Sequence, residues 1–140
     1  MTYSKEMILR QCNVMCKNTL METLDIQFTD YTEDTLTARM PVTSKVHQPD
    51  GVLHGGASVA LAESVGSMAA MIFMNDENIS IGGIEIAANH VKGVSNGFVY
   101  AKATILHKGR STQLWQVRIV NEVDELVSLV KFTTISLPKA

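Results

Sequence analysis

Apolar and polar positions divide this chain into stretches with two different periods. Between residues 4 and 18 the apolar side chains recur at helical spacing, which predicts a first amphipathic helix as a lid or flank. Over Leu24–Phe28 and Leu36–Val42 the period falls to two, which predicts two strands joined by a turn at residues 30–34. Gly56–Met74 does not alternate and predicts a long helix of 19 residues.

After that helix the alternation returns in four stretches with short turns between them. The predicted strands cover residues 79–92, 98–107, 112–121 and 126–136, with turns at 93–97, 108–111 and 121–125. Short turns favour antiparallel pairing. Residues 1–140 contain no linker, internal repeat or low-complexity tract. The sequence therefore predicts one α+β domain, with an antiparallel sheet wrapped around one central helix.

Composition narrows the classes of function. The 140 residues are 46% hydrophobic, enough for one core, and the net charge of -2 gives no basic field for nucleic acid. The first residues lack the apolar run of a signal peptide, and the longest apolar run, Met68–Met74, is too short to span a membrane. Cys12 and Cys16 are interpreted as small buried hydrophobic residues. We expect a cytoplasmic protein without membrane or nucleic-acid partners.

The predicted long helix carries one acidic residue, Glu63, among apolar and small residues. At about 100° per residue, the core face forms one stripe and Glu63 lies opposite. The stripe is Leu61, Val65, Met68 and Ile72, and the neighbours of Glu63 are Gly56, Val59, Gly66, Ser67, Ala70 and Met74. A face in water would carry charged residues or Gln, so we expect a second subunit or a ligand here. Because burying an unpartnered carboxylate costs free energy, a functional Glu63 needs a firm partner or a proton.

The residues before this helix predict an oxyanion site. Gly55 and Gly56 leave backbone N–H groups open at a helix start, where the dipole adds partial positive charge. Glu63 lies about 11 Å along the axis from Gly56, too far for both to act on one group within a chain. A site shared between two symmetry-related chains removes the difficulty. The structural alternative is a tight helix start with His54 as an ordinary cap.

Other motifs are better explained by structure. Gly93–Gly97 spells G-x-S-x-G, but strands are predicted on both sides and Asn96-Gly97 is typical of a hairpin. Ser64 and Ser67 lie in the predicted helix without a basic partner, so neither is a nucleophile. The four histidines lack metal-ligand spacing and no phosphate-binding glycine loop occurs, so we expect no metal and no cofactor. Met40, Met68, Met71 and Met74 are interpreted as core residues.

Three blocks of the chain resemble the hotdog-fold acyl-CoA thioesterases, in the branch that uses a helix carboxylate. They are Q-P-D-G-V-L-H-G-G-A-S-V-A-L-A-E-S-V-G-S at residues 48–67, E-I-A-A-N-H-V-K at 85–92 and H-K-G-R-S-T-Q-L-W at 107–115. Within that family the chain is most similar to the thioesterases of menaquinone and enterobactin synthesis. The resemblance covers nearly the whole chain and implies a long helix wrapped by an antiparallel sheet.

The resemblance also implies roles for individual residues. Glu63 matches the catalytic carboxylate, as nucleophile or as general base, and Gly55 matches the backbone N–H that polarises the thioester carbonyl. His54 and Gln48 match residues that orient thioester and water, and Ser67 matches a hydroxyl near the carboxylate. The positions that match coenzyme A contacts are Gly83, His90, Val91, Lys92, His107, Lys108, Gly109, Arg110, Ser111 and Thr112. Lys92 and Arg110 are the expected phosphate ligands; the alternative is that both are solvated surface charges.

The function implied is hydrolysis of a small-molecule acyl-CoA thioester, with an aromatic acyl group such as 1,4-dihydroxy-2-naphthoyl. Family members form homodimers that stack as homotetramers, with sites at the dimer interface. Two alternatives remain: a hotdog module that binds an acyl-CoA or acyl carrier without chemistry, and a dehydratase on the same fold. Binding alone does not need a carboxylate on a face of small residues, and a dehydratase needs a different arrangement of His and Glu.

Overall fold

Three helices and six strands make up the protein in the computed structural model, which describes residues 3–140. The helices are α1 (Lys5–Met15), α2 (Leu20–Thr23) and α3 (Gly55–Met74), with a 3-10 turn at Ser44–Val46. The strands are β1 (Gln27–Tyr31), β2 (Thr35–Pro41), β3 (Ile79–His90), β4 (Phe98–Lys108), β5 (Thr112–Val120) and β6 (Leu126–Pro138). They form one antiparallel sheet in the order β1-β2-β4-β5-β6-β3. The predicted α+β architecture is confirmed.

The predicted elements agree with the structure to within one to three residues at their ends, except before β1. The strand predicted from Leu24 is wrong at its start, because residues 20–23 form the short helix α2 and β1 begins only at Gln27. Thr19 caps α2 by accepting a hydrogen bond from the Met21 N–H at 3.2 Å. Asp25 then takes a left-handed conformation, with φ of 56°, that ends the helical path. The alternating stretch Leu24–Phe28 has only five residues, which is too short to exclude a capped helical turn just before the strand.

The sheet packs its inner face on α3, and the hydrophobic pattern locates this core correctly. On β2 the side chains of Leu36, Ala38 and Met40 are fully buried, as alternation predicts. On α3 the predicted stripe is buried at Leu61, Val65 and Met68 and partly buried at Ile72. By length and mean hydropathy α3 could cross a bilayer, but it packs here against strands β2 to β6.

Two small residues of α3 pack inside the protein's own core, not against a second subunit or a ligand as predicted. Gly66 and Ala70 were placed on the open side of the helix beside Glu63, but both are buried in the protein's own core. A Cβ atom added at Gly66 would overlap the buried ring of Phe132 on β6. The close approach predicted at Gly66 is therefore made by the same chain. At about 100° per residue, Gly66 lies about 130° and Ala70 about 170° from the centre of the core stripe, so the buried surface of α3 extends far beyond that stripe.

Replacing Gly66 with Ala tests this packing. The added methyl group meets a rigid aromatic ring, so we expect Gly66→Ala to lower the free energy of unfolding by about 1–3 kcal/mol. Gly82→Ala is the matched control, because its Cβ would meet only Ile135 Cγ2 at 3.9 Å. Urea denaturation measures both variants. Equal stability of Gly66→Ala and the native protein would contradict the packing described.

Candidate active site

The start of α3 presents an open backbone donor. His54 caps the helix, and its Nδ1 accepts a hydrogen bond from the Gly56 N–H at 2.8 Å. The His54 carbonyl accepts from the N–H groups of Ala57 and Ser58. The Gly55 N–H, which begins the helix one residue earlier than predicted, has no acceptor among residues 3–140. His54 thus caps the helix through Nδ1, and the cap leaves the Gly55 donor free for an anionic oxygen.

A cavity of about 410 Å³ brings several predicted residues to this helix start. Its lining includes Gln48, Gly55, His90, Val91 and Lys92. The His90 ring rests against Gly55: a Cβ added at Gly55 would lie 2.7 Å from His90 Nε2. His90 Nδ1 lies 2.7 Å from Ser128 Oγ, a buried hydroxyl that holds the ring in place. The sequence did not identify Ser128, because the contact depends on the register between β3 and β6.

Gln48 reaches this cavity from a tight turn. Its backbone N–H donates to the Val52 carbonyl at 2.8 Å, and Gly51 between them has φ of 82°. The Gln48 side-chain oxygen accepts from the Asp50 N–H, so the amide nitrogen is turned away from the turn. That nitrogen has no acceptor in the described part of the chain, residues 3–140. The turn therefore holds an unused amide donor on a residue that lines the same cavity as Gly55.

Glu63 lies in a second cavity, of about 450 Å³, between α3 and the α1–α2 segment. The other lining residues are Met15, Thr19, Leu20, Met21, Ala60, Ser64, Ser67, Met68 and Met71. Glu63 is exposed and has neither a hydrogen bond nor an ion pair within residues 3–140. Ser64 is occupied, donating to the Ala60 carbonyl at 2.7 Å, whereas Ser67 faces the cavity one turn beyond Glu63. Within one protomer the carboxylate does not have the firm partner that the sequence predicts.

Methionine side chains contribute more to this cavity than expected. The assignment to the core is right for Met40 and Met68, which are buried, but wrong for Met71, which is 46% exposed in the cavity. Met15 and Met21 of the α1–α2 segment line the same space. Methionine is flexible and polarisable, so this lining suits apolar groups of differing shape.

Gly83 lies beside the catalytic candidate, apart from the turn at 107–112. A Cβ added there would lie 3.0 Å from Glu63 Oε2 and 2.8 Å from the Phe132 ring. A bulge in β3 between Gly83 and Glu85 turns Ile84 outward at this point. The absence of a side chain at Gly83 thus makes room for the Glu63 carboxylate.

The turn between β4 and β5 carries basic side chains at the far end of the sheet. His107, Lys108 and Arg110 are exposed, and no carboxylate lies within 4.0 Å of any of them among residues 3–140. The Gly109 N–H donates to the Thr112 carbonyl at 2.8 Å and closes the turn. Exposed basic side chains without acidic partners suit an anionic ligand, which the resemblance implies for His107–Thr112.

Lys92, unlike the basic side chains of this turn, has a carboxylate partner. Its Nζ lies 3.5 Å from Glu125 Oε2, with both side chains about half exposed. A hydrogen bond from Asn121 and the positive charge of Lys92 lower the pKa of the Glu125 carboxyl. A phosphate that binds Lys92 has to compete with Glu125, a competition that Arg110 does not face.

One protomer keeps the predicted site residues apart. Glu63 is eight residues along α3 from Gly55, which corresponds to about 12 Å. Thr112 pairs with Ile135, which pairs with Gly82, whereas His90 pairs with Ser128. The basic turn and His90 thus lie at opposite ends of β3, about 26 Å apart. The Gly55 cavity and the Glu63 cavity are therefore two halves that do not meet in one chain.

Comparison with known proteins identifies the family of this arrangement. Residues 50–128 match the thioesterase superfamily model. The chain is 40% identical over 134 residues to the 1,4-dihydroxy-2-naphthoyl-CoA hydrolase of Escherichia coli, covering 96% of this chain and 98% of that protein.

Two further relatives agree. A proofreading thioesterase of Cronobacter turicensis is 43% identical over 122 residues, covering 87% of this chain and 88% of that protein. The crystal structure of a Haemophilus influenzae thioesterase superposes with a TM-score of 0.91 at 37% identity, covering 99% of this chain and 93% of that one. The sheet wrapped around α3 is thus that of a hotdog-fold thioesterase, and the chain belongs to the thioesterase superfamily.

Proposed function

We propose that the protein hydrolyses an aromatic acyl-CoA thioester to the free acid and coenzyme A, at a site formed by two copies of the chain. The observation that carries the proposal is the pair of half-sites on α3. Within residues 3–140, Gly55 offers an unpartnered N–H in the cavity that Gln48 also lines, and Glu63 offers an unpartnered carboxylate in a largely apolar cavity. A donor for the carbonyl oxygen and a carboxylate for the carbonyl carbon are what thioester hydrolysis requires.

The edge of the sheet supports the pairing of two chains. β3 is an edge strand of 12 residues that pairs only with β6, and its middle carries the exposed Ile84. A long unpaired edge is a template for another strand, and a two-fold axis pairs two identical edges in antiparallel fashion. Homodimer formation through β3, followed by stacking of two dimers, is the assembly that the resemblance implies and that we propose here.

Antiparallel pairing of two β3 strands also brings the two half-sites together. It reverses one β3 relative to the other, so the His90 end of one chain lies beside the Ile79 end of its partner. The Gly55 cavity of the partner then approaches the half of the first chain that carries Gly83 and Glu63. The partner's His90–Lys92 segment likewise approaches the basic turn of the first chain. The two half-sites that are far apart within one chain are therefore close together between two chains.

In this site the reaction depends on stabilising the negative charge that develops on the thioester oxygen. The Gly55 N–H and the α3 dipole stabilise negative charge on the thioester oxygen as the carbonyl carbon becomes tetrahedral. Glu63 either attacks that carbon, giving a mixed anhydride that water then opens, or takes a proton from an attacking water. The C–S bond breaks in both cases, and coenzyme A leaves as the thiol. Gln48 and His54 orient the thioester and water, with Ser67 near the carboxylate.

The substrate is inferred from the surfaces around the site. The Glu63 cavity is lined by methionine, leucine and alanine, which suit an apolar acyl group such as a fused aromatic ring. His107, Lys108 and Arg110 suit the phosphates of coenzyme A. We propose 1,4-dihydroxy-2-naphthoyl-CoA or a related aroyl-CoA, in keeping with the Escherichia coli relative. The free cysteines Cys12 and Cys16 are compatible with a reducing cytoplasm.

Thiol release tests this proposal. The protein is incubated with benzoyl-CoA, 1,4-dihydroxy-2-naphthoyl-CoA and short-chain and medium-chain acyl-CoA thioesters, and free coenzyme A is measured with a thiol reagent. We expect turnover, with higher kcat/KM for the aroyl thioesters. Binding of these thioesters without thiol release would instead establish a non-catalytic acyl-CoA module.

A further inference from the structure

A line of hydrogen-bonded polar side chains crosses the hydrophobic core between β5 and β6. The Trp115 Nε1–H donates to Thr134 Oγ1 at 3.0 Å, and the Thr134 hydroxyl donates to Gln113 Oε1 at 2.7 Å. The Gln113 amide then donates to Ser136 Oγ at 3.3 Å, and the Ser136 hydroxyl donates to the Ser111 carbonyl at 3.2 Å. Each hydroxyl accepts once and donates once, so the chain of hydrogen bonds runs in one direction.

These polar groups occupy positions that face the core. Gln113 and Thr134 are 1% and 0% exposed, and they continue the inward rows that contain Trp115 and Phe132. Fold stability alone does not require them, because replacing two bonded polar partners with apolar groups of the same shape is nearly neutral. A fully satisfied buried network instead rigidifies what it is attached to. The segment at which the network ends is therefore the segment that the network rigidifies.

The network ends on the basic turn. The Ser111 carbonyl accepts from both the N–H and the hydroxyl of Ser136, at 2.7 and 3.2 Å. Ser111 adjoins Arg110, one of the turn's exposed cations, and the turn is closed by the bond from Gly109 to Thr112. The cationic turn is thus fixed to the core through the buried side chains of Thr134 and Gln113 and the partly buried Ser136.

We infer that Gln113, Thr134 and Ser136 are positioning residues that preorganise the turn at His107–Thr112 for the phosphates of coenzyme A. The inference rests on the proposed function for the identity of the anion. An ordered turn pays less conformational entropy when it binds, so the network contributes to affinity for the nucleotide part of the substrate. It does not touch the thioester, and the chemical step is independent of it.

The test compares a full substrate with one that lacks the phosphates. Ser136→Ala and Thr134→Val remove hydroxyls of the network, and both are assayed with benzoyl-CoA and with S-benzoyl-N-acetylcysteamine. We expect KM for benzoyl-CoA and Kd for free coenzyme A, measured by calorimetry, to rise about tenfold. We expect kcat, and kcat/KM for the truncated thioester, to stay within about twofold of the native values.

Thr133→Val is the matched control. Thr133 adjoins Thr134 on β6 but faces the other side of the sheet, and its hydroxyl has no side-chain hydrogen bond within residues 3–140. This variant should bind coenzyme A as the native protein does.

Each possible result decides the inference. Unchanged affinity for coenzyme A in Ser136→Ala, or equal losses on both thioesters, would overturn it. If Thr134→Val does not fold, Ser136→Ala alone decides, because Ser136 is only partly buried and keeps its backbone bond to Ser111. If the native protein hydrolyses neither thioester, the proposed function fails, while the coenzyme A affinities still test the network.

Discussion

Glu63→Gln should lower kcat by about 10²- to 10⁴-fold while leaving the fold intact. Gln has the same shape as Glu but can neither attack a carbonyl carbon nor accept a proton at neutral pH. The side chain is exposed and has no partner within the described protomer, so its replacement removes no structural contact. Steady-state thiol release measures the loss, and circular dichroism with thermal unfolding verifies the fold.

Glu77→Gln serves as the control for this change. Glu77 is an exposed carboxylate just beyond the end of α3 and lines neither half of the site. We expect native kcat in this variant. Near-native turnover in Glu63→Gln would remove Glu63 from the mechanism.

A single turnover in H₂¹⁸O tests the nucleophilic role of Glu63. Water that opens a mixed anhydride at the Glu63 carboxyl carbon leaves ¹⁸O in the protein, whereas general-base catalysis and water attack on the acyl carbon both place the label in the product acid. Label in the peptide that contains Glu63, measured by mass spectrometry, therefore establishes the nucleophile.

Local patterns in the sequence predicted the fold and the position of Glu63 because both depend on periodicity. Alternation placed Leu36, Ala38 and Met40 in the core, and an acidic residue on an apolar helix identified Glu63. The short helix α2 was missed because one capped turn has no period of its own. Local sequence patterns therefore predict secondary structure better than they predict which residues contact each other in the fold.

Contacts between residues that are distant in the sequence could not be predicted from local patterns. That Gly66 packs on Phe132, and that His90 rests on Gly55, follows from the register of β3 on β6 and the curvature of the sheet. Neither quantity can be read from a single strand. The same register places the basic turn and His90 at opposite ends of β3. This separation along β3, together with the distance between Gly55 and Glu63 along α3, supports a site shared between two chains.

Gly55→Pro should reduce kcat by about 10²- to 10³-fold, the usual effect of losing one oxyanion donor. Proline has no N–H and is well tolerated at the first position of a helix, which Gly55 occupies. The His90 ring, which lies where the new side chain would go, has to rotate away from Ser128. A loss of turnover therefore assigns the oxyanion role to this half-site, which contains both the Gly55 N–H and His90. Thermal unfolding verifies the fold, and native turnover would exclude the Gly55 N–H.

The two inactive variants together test whether the site is shared. If Gly55 of one chain serves Glu63 of its partner, a heterodimer of Glu63→Gln and Gly55→Pro has one site with both defects and one intact site. Random pairing of equal amounts yields half heterodimers, so co-expression should restore about one quarter of native activity. If both groups act within one chain, every site keeps a defect and no activity returns. Thiol release from the co-expressed variants, compared with release from each variant expressed alone, gives the answer.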